Sequence, residues 1–172
     1  MEEFLEDYDN PIMQVFAEFA TFLYVVRYDC KTNKMLHNIM LESKKIHIRA
    51  LCEFFSNTKE YKDDLIYRDF IITDKDLSVP ISDELRRFIN KSLAHISKKR
   101  GRQKFPEGEF IKVQMDLIKS ISRFMSEIDR NIKLEYRKYL IDSQVQDVLT
   151  GILKSIIVIS ELHAQKGVLI EL

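Results

Sequence analysis

Apolar residues recur every three or four positions along most of this chain, which is the spacing of one face of an α-helix. The first such run covers residues 11–28, where Asn10 can cap free amides and Pro11 is tolerated in the first helical turn. Turn-forming residues are scarce, with four glycines and three prolines among 172 residues. We therefore predict an all-α fold, a bundle of four to five helices.

A long polar connector separates the second predicted helix from the third. We expect these helices at residues 34–55 and 82–99, with Ser82 as the cap of the second of them. Residues 59–80 between them lose the helical spacing and are rich in charged and turn-forming side chains. They should hold at most a short helical or extended piece around residues 70–72.

The C-terminal part of the chain carries two further helical patterns. A fourth helix is predicted at residues 109–128, and residues 134–140 either continue that helix or bend away from it. Residues 143–163 are predicted as a last helix, although the β-branched run 156–159 favours extended structure. We expect one domain over all 172 residues, with residues 143–172 either part of it or a loosely attached segment.

The charge balance and the cysteines exclude several functional classes. Lys plus Arg equals Asp plus Glu at 27 each, so no overall field draws the protein to nucleic acid or to an anionic membrane. Cys30 and Cys52 have neither a CxxC spacing nor a Cys/His array around them, which disfavours a zinc site and a disulfide framework. Nucleotide-loop, hydrolase and metalloprotease motifs are absent from the sequence, so no cofactor and no metal is expected.

The chain start is acidic where a secretory signal would be basic, and no apolar run approaches the roughly 20 residues that a bilayer-spanning helix needs. The expected location is therefore the cytoplasm, without membrane association.

The segment whose residues are best suited to catalysis is the end of the third predicted helix. Lys91 and His95 stand four residues apart, on neighbouring positions of a helix surface. A histidine can act as general acid or base near neutral pH, and a nearby ammonium group can stabilise charge on a phosphate. Residues 98–104 follow with five cations in seven positions, which suits a nucleic-acid backbone. The competing interpretation is a histidine at the edge of the core followed by a solvated basic loop.

The second predicted helix has a polar side that could form a further part of a site. Lys44, Lys45, Arg49 and Glu53 are predicted to be exposed, and Arg49 and Glu53 to form an ion pair one turn apart. His47 adds a titratable group to the same helix.

The connector carries carboxylates and aromatic residues with two open interpretations each. Asp63, Asp64 and Asp69 could bind a hard metal ion, but capping of a short helix and pairing with Arg68 is the favoured interpretation. The aromatic residues are either contacts to a second subunit or loop residues folded onto the core. They are Tyr61, Tyr67, Phe70 and, beyond the connector, Phe105.

Three blocks of sequence, at residues 41–55, 63–70 and 89–100, resemble a group of bacterial helical proteins that is similar to the HEPN superfamily. The HEPN resemblance implies a helical bundle, frequently dimeric, in which an Arg and a His about five residues apart cleave RNA. His95 matches that histidine, whereas Asn90 stands where the Arg is expected. The resemblance also implies a composite site, with the same helix of two subunits facing one cleft.

These observations lead to one functional hypothesis and two alternatives. The hypothesis is a metal-independent endoribonuclease of a toxin or phage-defence type, acting as a homodimer on RNA, with an antitoxin protein as a further expected partner. Its predicted catalytic residues are His95 as acid and base, Lys91 on the phosphate and Asn90 orienting the substrate. The predicted substrate-binding residues are Lys98, Arg100, Arg102, His47 and Arg49.

The first alternative is a non-catalytic helical bundle that serves as a protein- or RNA-binding module. In that case Asn90 and His95 bond across helices and fix the bundle. The second alternative, a binder of a small molecule or nucleotide in the bundle interior, has no signature in the sequence.

Overall fold

The computed structural model describes residues 10–27, 33–94 and 106–165, with the backbone alone for 91–94 and 163–165. Seven α-helices lie within these ranges, and a single bridge, between Ile71 and Ile132, is their one piece of extended pairing. The all-α prediction is confirmed. The helices are α1 (Pro11–Arg27), α2 (Lys34–Phe54), α3 (Tyr67–Phe70), α4 (Asp83–Ala94), α5 (Glu107–Asn131), α6 (Leu134–Arg137) and α7 (Ser143–Gln165).

Side-chain caps explain where three of the long helices begin. The Asn10 side-chain oxygen accepts a hydrogen bond from the Ile12 amide at 3.1 Å, as the sequence predicted for the first helix. The Ser82 hydroxyl accepts from the Leu85 amide at 3.1 Å, so the predicted cap of α4 is confirmed. α2 has an additional cap that the sequence did not indicate, because Asn33 accepts from an amide three residues later.

Aromatic rings fill the centre of the bundle and join three helices. Phe19 of α1 stacks on Phe55, at the end of α2, with ring centroids 5.7 Å apart. Phe124 of α5 meets Phe19 edge-on at 5.6 Å and Phe54 at the same centroid distance. Each such ring pair adds about 0.5 to 1.5 kcal/mol beyond the area that it buries. The cluster therefore fixes α1, α2 and α5 relative to one another.

α7 packs mainly against α1 and contributes to the same core. Its predicted helical structure is confirmed over the β-branched run 156–159, because burial outweighs a propensity penalty of a few tenths of a kcal/mol per residue. The buried side chains of α7 recur at helical spacing: Val145, Leu149, Ile152, Ile156 and Ile159.

The chain bends between α5 and α7, which decides between the two possibilities for residues 134–140. Ile132 and Lys133 adopt extended backbone conformations and end α5, so residues 134–140 bend away and do not continue it. α6 and a 3-10 turn at Lys138–Ile141 follow. α5 itself extends beyond its predicted range of 109–128 at both ends.

The predicted connector is an ordered part of the bundle. It contains α3 and then Ile71, which forms the bridge to Ile132. The Phe70 carbonyl accepts from the Lys133 amide at 2.8 Å, and the Ile72 amide donates to the Asn131 carbonyl at 2.8 Å. The connector is thereby joined to the end of α5. The prediction of a short helical or extended piece near residues 70–72 is confirmed.

The aromatic residues of the connector differ in burial. Tyr67 and Phe70 are fully buried, so they are loop residues folded onto the core. Tyr61 is exposed, and Phe105 lies outside the described residues.

Candidate functional site

The predicted site is centred on the end of α4, and the structure describes only its first half. Asn90 lies in the last part of α4, and the backbone of Lys91 continues the same helix to Ala94. Four predicted site residues lie outside the described residues, as do residues 95–99 of the predicted third helix. These site residues are His95, Lys98, Arg100 and Arg102. Asn90, His47 and Arg49 are the members whose side chains can be placed.

α4 meets α2 at a buried cation. Lys45 of α2 is 4% exposed, and its ammonium nitrogen lies 5.2 Å from the ring centroid of Phe88 on α4. The same nitrogen donates a hydrogen bond to Oε1 of Glu42 at 2.9 Å. The ion pair and the aromatic face together compensate for the loss of water around the charge. The contact between the two helices is therefore polar as well as apolar.

The burial of Lys45 corrects a prediction, since this residue was expected on the exposed side of α2. The sequence did contain a signal, because Lys45 lies four residues after Leu41 and three before Ile48, within the apolar stripe. A lysine is rarely fully buried, so residue type favoured exposure where position in the stripe favoured burial.

Asn90 presents a buried acceptor on α4. Its side-chain oxygen is buried and has no hydrogen-bond partner among the described residues. An unsatisfied buried polar atom costs about 1 to 3 kcal/mol, so such an atom is usually retained for a reason. Asn90 follows Phe88 by two residues, close to the end of the described part of α4. Its oxygen can accept a hydrogen bond from a hydroxyl, an imidazole or an ammonium group.

The two predicted substrate-binding residues of α2 have partners within the bundle. Nδ1 of His47 lies 2.6 Å from Oε1 of Glu18, which joins α2 to α1. Nε of Arg49 donates to Oε1 of Glu53 at 3.0 Å, so the predicted ion pair is confirmed. The hydrogen bond from Arg49 to Glu53 and then the charge of Glu53 raise the pKa of the Arg49 guanidinium.

His47 and the α4 contact lie on different sides of α2. Lys45 faces Phe88 of α4, whereas His47 faces Glu18 of α1. Residues two apart on an α-helix point about 200° from each other, which accounts for the separation. The structure therefore places His47 beside α1 and not at the contact of α2 with Phe88.

The acidic residues of the connector cap and pair, as the favoured interpretation stated. Asp69 accepts from the Ile66 amide at 2.9 Å, and Asp64 accepts from the Tyr61 amide at 2.7 Å. The predicted pairing of Asp69 with Arg68 is wrong, because Asp69 binds the Lys59 ammonium at 2.8 Å. Within the described residues, no group of three or more His, Cys, Asp or Glu side chains could hold a metal ion.

Asn57 is a hydrogen-bond hub of the connector that the sequence did not reveal. Its side-chain oxygen accepts from the Tyr67 hydroxyl at 2.8 Å and from the Arg68 guanidinium at 3.3 Å. Its amide nitrogen donates to Asp76, 19 residues further along the chain, at 3.3 Å. The pKa of Asp76 is lowered, mainly because its carboxylate accepts from the Ser78 amide. No pattern at the level of sequence pairs these residues.

A second unpredicted contact attaches the connector to α5. The carboxylate of Glu127, which is mostly buried, accepts hydrogen bonds from Lys75 of the connector and from Asn131. The bond from Lys75 is the main cause of a lowered pKa for Glu127. The spacing of Glu127 and Asn131 is helical and could have suggested their contact, whereas Lys75 is 52 residues away.

The described thiol is not a reactive group. Cys52 of α2 is buried in the core, and loss of water raises its pKa to about 12. A cysteine acts as a nucleophile or metal ligand in its thiolate form. Cys52 is therefore protonated at neutral pH, and it takes no part in the candidate site.

No family model matches the sequence, and neither a curated protein nor a solved structure matches it. Among the helices of the described ranges, none is long and apolar enough to cross a membrane.

Proposed function

We propose that this chain is a HEPN-like, metal-independent endoribonuclease of a toxin or phage-defence type, working as a cytoplasmic homodimer. The observation that carries the proposal is the sequence order Asn90, Lys91, His95, which begins in the last turns of α4 and is followed at residues 98–104 by five cations in seven positions. The side-chain oxygen of Asn90, which has no hydrogen-bond partner among the described residues, supports it, since a residue that orients a substrate needs an acceptor that is not already used within the bundle.

The proposed reaction is transfer of the RNA phosphate to the neighbouring ribose oxygen. His95 takes the proton of the 2′-hydroxyl, whose oxygen then forms a bond to phosphorus. The bond from phosphorus to the 5′-oxygen breaks, and that oxygen receives a proton from the imidazolium or from water. The products are a 2′,3′-cyclic phosphate and a 5′-hydroxyl end. Lys91 and Arg100 neutralise the non-bridging oxygens, so the reaction requires no metal ion.

Cleavage of a labelled RNA by the full chain in excess chelator tests this proposal. We expect cleavage with cyclic-phosphate ends, and a loss of about 100-fold or more in rate for His95→Ala, the usual contribution of a general acid or base. His37→Ala is the matched control, because His37 is an exposed histidine in the first turns of α2 and should be replaceable without loss. Equal cleavage by wild type and His95→Ala would contradict the assignment.

A non-catalytic binding module is the second candidate function. The observation that favours it is that His47 and Arg49, both predicted to bind substrate, already bind Glu18 and Glu53. A scaffold would use these contacts for stability. It would shift RNA in a gel without cutting it, and His95→Ala would lower the free energy of unfolding by about 1 to 3 kcal/mol through a lost internal hydrogen bond. An exposed catalytic histidine would leave stability nearly unchanged.

A further inference from the structure

The solvent-facing side of α2 carries a ridge of large apolar side chains. Met35 is 74% exposed, Ile39 53% and Ile46 52%. Intervals of four and seven residues place the three on one face of the helix, and we refer to them as the α2 ridge. Single exposed apolar residues are ordinary, but a row along one helix face is typical of an interaction surface. All residues from Asn33 to Ile39 are exposed, so the first two turns of α2 project from the bundle.

The ridge leads into a groove between α1 and α2. Ala50, one helical turn beyond Ile46, lines this groove, and so do Gln14 and Glu18 of α1. The groove has a volume of about 190 Å³. Four further lining residues are large and apolar: Val15, Leu51, Phe54 and Leu65. The α2 ridge and this groove, called the α1–α2 groove below, follow one another along α2, with Glu42 between the two ridge isoleucines.

The positions of the α2 ridge and of Ala50 are symmetric about a single point. Residues 39 and 46 are equally far from the midpoint between Glu42 and Ser43, and so are residues 35 and 50. An antiparallel copy of α2 with its twofold axis at that midpoint therefore sets each ridge isoleucine against the other. It also sets Met35, the most exposed member of the ridge, over a lining residue of the partner's groove. A twofold contact requires such self-complementarity of one surface.

We propose that a second copy of this chain docks on α2, antiparallel, with Met35 of each subunit inserted into the α1–α2 groove of the other. Size supports this occupant, since an engineered apolar cavity of about 150 Å³ holds a benzene molecule, and the groove is larger. Methionine is the side chain best suited to an irregular apolar space because it is unbranched and flexible. The inference does not depend on RNA cleavage.

The charges beside the ridge are compatible with this pairing. Glu42 lies next to the proposed axis, and Lys45 of the same helix neutralises it at 2.9 Å. Arg49 is paired with Glu53 at 3.0 Å within one subunit and faces position 36 of the other. Both copies of each charge thus bring their own counterion into the interface. The proposed contact extends from residue 35 to residue 50, which is roughly 22 Å at the helical rise of about 1.5 Å per residue.

Disulfide cross-linking tests the direction and register of this dimer. The full chain carries Met35→Cys together with Ala50→Cys, in a Cys30→Ser background, while the native Cys52 is buried and unreactive. We expect a covalent dimer for the double variant under mild oxidation and none for either single variant, because each new thiol faces the other position across the axis. Cross-linking of the Met35→Cys single variant would show that the helices run in parallel, which would overturn the proposal.

The oligomeric state of a charged ridge variant tests the surface itself. Sedimentation of the wild type over about a hundredfold concentration range should show a dimer that dissociates on dilution. Ile39→Glu should raise the dissociation constant at least about tenfold, since it sets a charge against an apolar side chain. Ile141→Glu is the control, because Ile141 is 80% exposed and distant in sequence from α2.

A wild type that stays monomeric throughout, or a dimer that Ile39→Glu does not weaken, would overturn the inference. A monomeric wild type would also remove the homodimer from the proposed function, whereas RNA cleavage itself is tested separately through His95→Ala. Circular dichroism of Ile39→Glu confirms that the variant folds.

Discussion

The connector and the first turns of α2 contrast in backbone regularity and in attachment to the core. The connector is mostly irregular, yet it buries Tyr67, Phe70 and Leu77 and bonds to the end of α5. The first turns of α2 are regular helix, yet residues 33–39 are all exposed. The difference shows that secondary structure and tertiary attachment are separate properties in this fold. Hydrogen bonds within the helix maintain the one segment, and side-chain burial and the Asn57 hub maintain the other.

The largest expected effect comes from removing an aromatic anchor of the connector. Phe70→Ala should lower the free energy of unfolding by about 3 to 5 kcal/mol, because its fully buried ring contacts Phe54 and Tyr136 at centroid distances of 6.0 and 4.8 Å. Leu36→Ala, in the projecting part of α2, should cost less than about 0.5 kcal/mol. Urea unfolding at low protein concentration measures both. Similar costs for the two variants would show that the contrast is wrong.

The next largest effect should follow from loss of the connector's hydrogen-bond hub. Asn57→Ala leaves the Tyr67 hydroxyl and the Arg68 guanidinium without this acceptor, which should cost about 1 to 2 kcal/mol. Asn38→Ala is the control in the projecting turns of α2, where alanine favours the helix and should be neutral or slightly stabilising. Thermal unfolding distinguishes the two variants. An Asn57→Ala variant as stable as the wild type would show that the hub does not stabilise the connector.

A helix cap should have a local effect in α2 and a wider one in α4. Asn33→Ala should cost about 1 kcal/mol of helix stability, seen as faster amide hydrogen exchange in the first turns of α2 with little change in global unfolding. Ser82→Ala removes the corresponding cap from α4, whose Leu85 and Ile89 are buried. That loss should appear in global unfolding. Equal global effects of both variants would mean that the first turns of α2 are as tightly coupled to the core as α4.

The smallest expected effect concerns the pH dependence of the contact between the connector and α5. Glu127 has a lowered pKa in the folded state, chiefly because of its bond from Lys75. The Glu127 carboxylate therefore stabilises the fold fully at pH values above its ordinary pKa of 4.5. This stabilisation is lost as the pH falls through the lowered pKa of the folded state. Solvent screens the contact, because Lys75 is 61% exposed.

Glu127→Gln should accordingly destabilise the protein at neutral pH and match the wild type in strong acid, as measured by urea midpoints across the pH range. Asp129→Asn is the control for exchanging a carboxylate for an amide at an exposed position of α5, and it should change stability at neutral pH by less than about 0.5 kcal/mol. A difference between wild type and Glu127→Gln that persists in strong acid would show that shape, and not charge, is what matters at this position.

The sequence was sufficient to locate the long helices because each of them has an apolar stripe, and for some of them the start was recognisable as well. Asn10 and Ser82 are examples of caps that residue type and position relative to the stripe are enough to identify. α7 was predicted correctly over its β-branched run because the spacing of its apolar residues outweighs their individual preference.

Contacts between distant residues could not be predicted, because spacing along the chain carries no information about them. Lys45 was assigned to solvent on residue type, and spacing could not reveal its contact with Phe88 of another helix. In the same way, Lys75 meets Glu127 across 52 residues. The same holds for the candidate site, where only contacts between residues close in sequence could be predicted. Arg49 could be paired with Glu53 from their spacing, whereas the partner of His47 could not be named.

The rate at which the buried thiol of Cys52 is alkylated can report how often the core opens. Alkylating reagents attack thiolates, and burial both disfavours ionisation and blocks access, so labelling of Cys52 must wait for α2 to separate from its neighbours. The rate of modification in native buffer, followed by mass spectrometry, should therefore track the unfolding equilibrium and should accelerate in Phe70→Ala but not in Leu36→Ala. The native Cys52 thiol can thus report local opening of the bundle without an added probe.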